Sequence, residues 1–198
     1  QSLELAQAWA AAQHAHALLI ARHGHLVGEQ YDGIDASTLV EGGELTDTLL
    51  QLAAGIAAAQ NGLAVPPAAQ ADAAQLSAAI ARASGHSYAQ FLSRNIWQPL
   101  NAAPAQWSPV DVRARSVDWL RVAELLLHDG RFEGTQVVPP GWTQRLPRPH
   151  EAVGAEPYAD ETMFRLRGRG ATRLWLSPRF ELAILCVADA GEAPALAA

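Results

Sequence analysis

The segment from Gly43 to Leu63 constrains the fold more than any other part of the chain. Leu45, Leu49, Leu52, Ile56, Ala59 and Leu63 recur at spacings of three and four, which places them on one stripe of a helix. Most of the remaining positions are alanine or glycine, so this helix is apolar or small nearly all round and belongs inside a domain. Ala53, Ala54, Gly55, Ala57 and Ala58 let neighbouring elements approach its backbone closely. Thr46 reads as the N-cap with Asp47 following, and Asn61-Gly62 as the end, where glycine takes the left-handed conformation that closes a helix. Chemistry is expected at the N-terminal end, whose unpaired amides favour an anion or an activated nucleophile.

A chain of 198 residues supports one well-filled core, and no boundary between domains is visible, so one domain over 1–198 is expected, with 189–198 as a frayed small-residue tail. A formal charge of -6 speaks against a nucleic-acid footprint. The single Cys186 rules out an internal disulfide and leaves the compartment open. No apolar run is long enough to span a bilayer, and no charged-then-apolar leader opens the sequence. All fourteen cationic side chains are arginine, since the chain contains no lysine.

Before the central helix, Ser2 caps a first helix with Leu5, Trp9, Ala12 and His16 on one face. Ala17 to Arg22 and His25 to Tyr31 read as strands joined by a His23-Gly24 turn. After it, helices are expected on Ala73, Leu76, Ile80 and Ala83, then from Ser87 to Pro99, then from Ser116 through Trp119, Leu120, Ala123, Leu126 and Leu127 to His128-Asp129-Gly130. The end is strand-like, with Thr162 to Leu166, Thr172 to Ser177 and Phe180 to Ala188, of which Leu182 to Ala188 is apolar without alternation as in a strand covered on both faces. The fold class is therefore α/β (α+β): an antiparallel sheet of about five strands from both chain ends, with helices, the central one among them, packed on it.

Several pieces in this order resemble the serine β-lactamase and penicillin-binding protein superfamily, in the branch of class C β-lactamases and related esterases and peptidases. They are the run Leu125 to Trp142, Ser84 to Phe91 with Ile96 to Leu100, the Gly55-Ile56-Ala57 to Gly62-Leu63 half of the central helix, and Arg173 to Pro178. The resemblance implies a bacterial protein, periplasmic or secreted, and a β-lactamase/transpeptidase-like fold. It also implies three catalytic motifs: Ser-x-x-Lys at the start of the central helix, a Tyr-x-Asn type motif, and Lys-Thr-Gly or His-x-Gly on a sheet strand. Counting back from Gly55, the nucleophile position falls on Glu44 and the lysine position on Asp47. The second motif falls near Ala68-Ala69-Gln70, where there is no tyrosine; Tyr158-Ala159-Asp160 has a similar look in the wrong chain order. The third falls on Gly168-Arg169-Gly170-Ala171, with Arg169 where the family carries histidine or lysine, and an arginine stays protonated and is no base. The long helical lobe that family members insert after the first motif is reduced to Ala64 to Ala71.

Each remaining candidate has a chemical and a structural reading. Glu44 and Asp47 form a pair suited to acid and base work, or serve as the acids that helix N-termini collect, worth about 0.3 to 1 kcal/mol each. Thr46 or Thr48 as a substitute nucleophile needs a base within reach. His14-x-His16 and His23-x-His25 lack a Cys or carboxylate at ligand spacing, so no metal and no cofactor is expected. Arg165, Arg167, Arg169 and Arg173 form the one basic cluster, either a site for an anion or a solvated strand face. The tryptophans read as packing. The expectation is a catalytically degenerate member acting as a binding or assembly module, a homodimer or a protein partner covering the surface left by the lobe, without nucleic acid. A serine-hydrolase-type enzyme with a rebuilt site, or a binder of a small anionic or cell-wall-derived ligand, are the alternatives.

Overall fold

Alternation of apolar residues along Ala17–Arg22 decides how the sheet is covered: Leu18 and Ile20 turn to one face, Ala17, Leu19 and Ala21 to the other, and all five are buried. The structure, a computed structural model, describes residues 2–64, 72–108, 111–146, 164–168, 170 and 172–189. The elements are α1 (Ser2–Ala12), β1 (Ala17–Arg22), β2 (His25–Tyr31), β3 (Leu39–Glu41), α2 (Glu44–Asn61), α3 (Ala73–Ser84), α4 (Tyr88–Leu92), β4 (Gln106–Trp107), β5 (Val112–Arg115), α5 (Ser116–Leu127), β6 (Arg131–Phe132), β7 (Thr135–Gln136), β8 (Phe164–Arg167), β9 (Arg173–Ser177) and β10 (Leu182–Val187). The main sheet has the order β2-β1-β10-β9-β8 and is antiparallel throughout, so both chain ends build it as expected. Its first hairpin turns on His23 (φ 51°) and Gly24 (φ 74°), the left-handed pair that matches strand twist.

On one face, α1 buries Ala10 against Leu18, Ile20, Trp175 and Cys186, with Trp9 edge-on to Trp175 at 6.3 Å. The helix is shorter than its periodicity predicts. It stops at Ala12, His14 turns the chain at φ 53°, and His16 leaves the helical face to meet the Asp32 carbonyl and, through Nε2, the Asp189 carboxylate at 3.0 Å. On the other face α5, with Trp119, Leu120, Ala123 and Leu125 buried, lies against β1, β9 and β10, while α2 meets the sheet along β8 and packs on α3. The middle of the sheet is thus covered by α5, while the leucine stripe of α2 enters the same core from beside β8.

Caps at α3 and α4 follow the sequence: Asp72 accepts from Gln75 N, Gly85 is left-handed, and Ser87 with Gln90 forms a full capping box. The start of α2 differs. Gly43 is its N-cap, Glu44 its first residue, and Thr46 lies inside the first turn. Strand β10 starts at Leu182 and not Phe180, since Pro178–Phe180 forms a 3₁₀ turn closed by Glu181 at φ 46°. The three-stranded β3-β5-β4 sheet has no strong sequence signal, its strands being two to four residues long.

Buried charge is satisfied where it closes loops. Asp118, 1% exposed, accepts from Arg115 Nε at 2.8 Å, Arg121 Nη1 at 2.7 Å and the Ala103 amide, tying the 101–103 connection to α5. Asp129 accepts from Gly141 N and Thr143 Oγ1, both at 2.8 Å, which aims Trp142 at α2. The Trp142 indole donates to the Gln51 carbonyl at 2.9 Å and its ring covers Gly55, where a β-carbon would lie 2.5 Å from Cε2. Five of the six tryptophans are buried or half-buried, whereas Trp107 is 43% exposed.

Gly55→Ala separates packing from propensity. Alanine favours the helix by about 1 kcal/mol, but overpacking against a fixed indole costs about 1–3 kcal/mol. The urea midpoint is expected to fall, and a rise would show that the indole yields freely.

Candidate functional site

The start of α2 is positioned by two chain crossings. Strand β3 delivers Gly42 and Gly43, with the Gly42 amide bonded to the Val112 carbonyl at 2.9 Å, so that β5 begins beneath the first helical turn. A β-carbon at Gly42 would lie 2.5 Å from Thr46 Oγ1 and 2.6 Å from the Trp119 ring, so glycine is needed for this approach. Asp111, 7% exposed, then aims its carboxylate at the helix. Its Oδ1 accepts from Thr46 Oγ1 at 2.6 Å, from Gly43 N at 3.2 Å and from Val112 N at 2.8 Å. Thr46 Oγ1 also accepts from Val112 N at 3.1 Å. Asp111 thereby does for α2 what a cap residue does locally: it brings negative charge to the positive helix end from 68 residues away.

Glu44 and Asp47 lie at this end, one turn apart. Glu44 is exposed, and its Oε2 accepts the backbone N–H of Arg167, the last residue of β8, at 3.1 Å. A carboxylate therefore bridges the helix start and the sheet strand. Asp47 is exposed in surface terms, yet partial enclosure first, and then the charges of Glu44 and Asp111, push its carboxyl above the ordinary range. Tyr88 stands nearby, nearly buried and edge-on to Trp107 at 5.9 Å. Burial, and secondarily the charge of Asp47, raise its phenol, so it stays protonated at neutral pH.

Of the arginines, Arg165 and Arg167 pair across the strand with Trp175 and Arg173 and share the face of Trp175 and Cys186. Arg173 is 8% exposed and donates to the Gly170 and Thr172 carbonyls. Burial first, then Arg165 and Arg167, lower its pKa from the usual arginine value. The positions Ala68, Gln70, Arg169 and Ala171, like Tyr158 and Asp160, lie outside the described residues. His14 and His16 are separate from His23 and His25, and among the described residues no group of three or more His, Cys, Asp or Glu is placed to hold a metal ion.

The chemistry available is limited by how these groups are used. The Thr46 hydroxyl donates to Asp111 and accepts from Val112, and the Thr48 hydroxyl donates to the Glu44 carbonyl at 3.1 Å. The Asp111 oxygen that accepts from Thr46 also accepts two backbone amides, and the Thr48 acceptor is a carbonyl; a weakly basic acceptor leaves a hydroxyl a weak nucleophile. Asp111 and Tyr88 are members of the site that sequence reading misses. Tyr88 stands in a capped helix that reads as packing, and Asp111 in a Pro-rich connection whose partner is remote.

The sequence matches no protein-family model and no curated protein. Solved structures do match. A hydrolase with promiscuous acyltransferase activity, EstCE1, is similar at 11% identity and a TM-score of 0.71, covering 93% of this chain and 92% of that one. A β-lactamase from Mycobacterium bovis gives 15% identity and 0.65 over 92% and 90%. The octameric penicillin-binding protein homologue from Pyrococcus abyssi gives 10% and 0.67 over 97% and 73%. The fold is that of the serine β-lactamase and penicillin-binding protein-like structures.

Thr46→Val removes both the donor to Asp111 and the acceptor for Val112 N, and is expected to lower stability by about 1–3 kcal/mol in urea titrations. Thr46→Ser keeps both bonds and should lose under about 1 kcal/mol. Equal stability of the two variants would show that the hydroxyl does not hold the helix start.

Proposed function

We propose that this chain, with a β-lactamase-type fold, is a binding or assembly protein in which the hydrolytic centre of that fold is replaced by a helix start satisfied from within. The observation that carries this reading is the bond from Arg167 N to Glu44 Oε2, which fills the space between helix start and strand with the protein's own carboxylate. The sequence supports it, because a chain without lysine has no amine to deprotonate a hydroxyl and no lysine for the strand motif. By resemblance, family members carry a lobe between these helices, whereas only 62–72 joins α2 to α3 here, and in this reading the face that the lobe would cover is open to a partner. A homodimer, or a protein partner, covers that face in this reading. One domain over 1–198 and a periplasmic or secreted setting belong to the same proposal; no helix among the described residues is long and apolar enough to cross a membrane.

A hydrolase with a rebuilt site is the competing reading, favoured by the hydrolases among the structural neighbours. Binding of a small anionic or cell-wall-derived ligand at the arginines is a further one, and predicts affinity that falls with salt and in Arg169→Ala.

Nitrocefin and p-nitrophenyl esters are expected to be left unchanged beyond the buffer rate. Turnover that disappears in Glu44→Gln or Thr46→Ala would replace the binding reading with the hydrolase. Light scattering at high protein concentration is expected to give the mass of a dimer or larger assembly, and a clean monomer would count against self-assembly.

A further inference from the structure

Strand β9 runs from Arg173, beside the α2 end of the sheet, to Ser177 at the opposite end. There a cavity of about 400 Å³ opens between the β1–β2 turn, the end of α5 and the β6–β7 turn, walled by His23, His25, Glu124, His128, Arg131 and Phe132. Its volume is in the range of small-molecule sites.

Glu124 reaches this cavity from α5 with a side chain only 8% exposed. Its Oε2 takes the His128 Nδ1 contact at 3.1 Å, while its Oε1 has no hydrogen-bond partner. A buried carboxylate oxygen without a donor is costly unless something supplies one. The turn passes over the other oxygen without a side chain: a β-carbon at Gly24 would lie 4.0 Å from Oε2. The surroundings favour positive charge. Glu181 meets His23 Nδ1 at 3.1 Å and stands 4.0 Å from His128 Nε2, Glu133 lies on the β6–β7 turn, and the C-terminal end of α5 adds its partial negative charge. Against three carboxylates stands one arginine, Arg131, whose guanidinium donates to the carbonyl of Gly134 in its own turn at 3.1 Å. No group of three or more ligating side chains here is placed for a metal ion.

We propose that this cavity binds a small organic molecule through a protonated primary amine, with the ammonium group donating to Glu124 and the body of the molecule against Phe132.

Cyclohexylamine and its neutral counterpart cyclohexanol test this by ¹H–¹⁵N NMR on the full chain. Cyclohexylamine is expected to shift the Gly24, His25 and Gly134 amides saturably at about pH 8, where the amine is protonated. Glu124→Gln is expected to weaken it about tenfold or more. Burial first, with Glu181 adding and His128 and His25 opposing, raises the Glu124 carboxyl above the ordinary glutamate range. Its ionised form is thus disfavoured in the folded state at neutral pH, a penalty absent below that range, so the neutral glutamine is expected to fold at least as stably at pH 7. Unmoved amides, equal shifts with cyclohexanol, or unchanged affinity in folded Glu124→Gln would each overturn the proposal.

Discussion

Asp111 holds the first turn of α2 against the start of β5, and the arrangement of the site follows from that contact. Its Oδ1 gathers a hydroxyl and two backbone amides, one of them from the N-cap itself. Helix starts leave amides without partners. Here a carboxylate from a distant part of the chain supplies the acceptor, so the entry angle of α2 is set by tertiary structure and not by its own cap. Gly42 and Gly43 make the approach sterically available, and Trp119 backs it from α5.

The same helix is clamped lower down by the Trp142 indole over Gly55, itself aimed by Asp129. Two carboxylates and two glycines thus position a helix that also buries Leu45, Leu49, Leu52 and Ile56 in the core. With α2 placed along β8, Glu44 falls within reach of the strand amide of Arg167. The result is a junction in which these polar groups are tied to one another. Hydroxyls are bonded to structural partners, Asp47 is held toward its protonated form, and Tyr88 keeps its proton.

Periodicity made much of the fold legible. The β1–β2 hairpin falls on its expected residues because left-handed His23 and Gly24 follow from local sterics, and the end of α2 at Gly62 does so for the same reason. The five-stranded sheet from both chain ends was readable because β1 and β10 are apolar runs that must be buried on both faces. What was not legible depends on partners far apart in sequence. Thr46 reads as a cap, but its hydroxyl is taken by Asp111, 65 residues on, and the cap falls on Gly43, three residues earlier. Similarly, Glu124 looks like one polar position on an amphipathic helix until the hairpin brings His23 and His25 over it. The α1 pattern overran because His16 finds Asp32 and Asp189 only in the folded chain.

We propose that neither threonine hydroxyl at the start of α2 is primed for attack. Intact-protein mass spectrometry after long incubation with a reactive acyl donor, such as a penicillin in excess, measures this directly. The account predicts an unchanged mass for the folded chain. A stoichiometric acyl increment that maps to a serine or threonine, and is lost on denaturation before labelling, would contradict it.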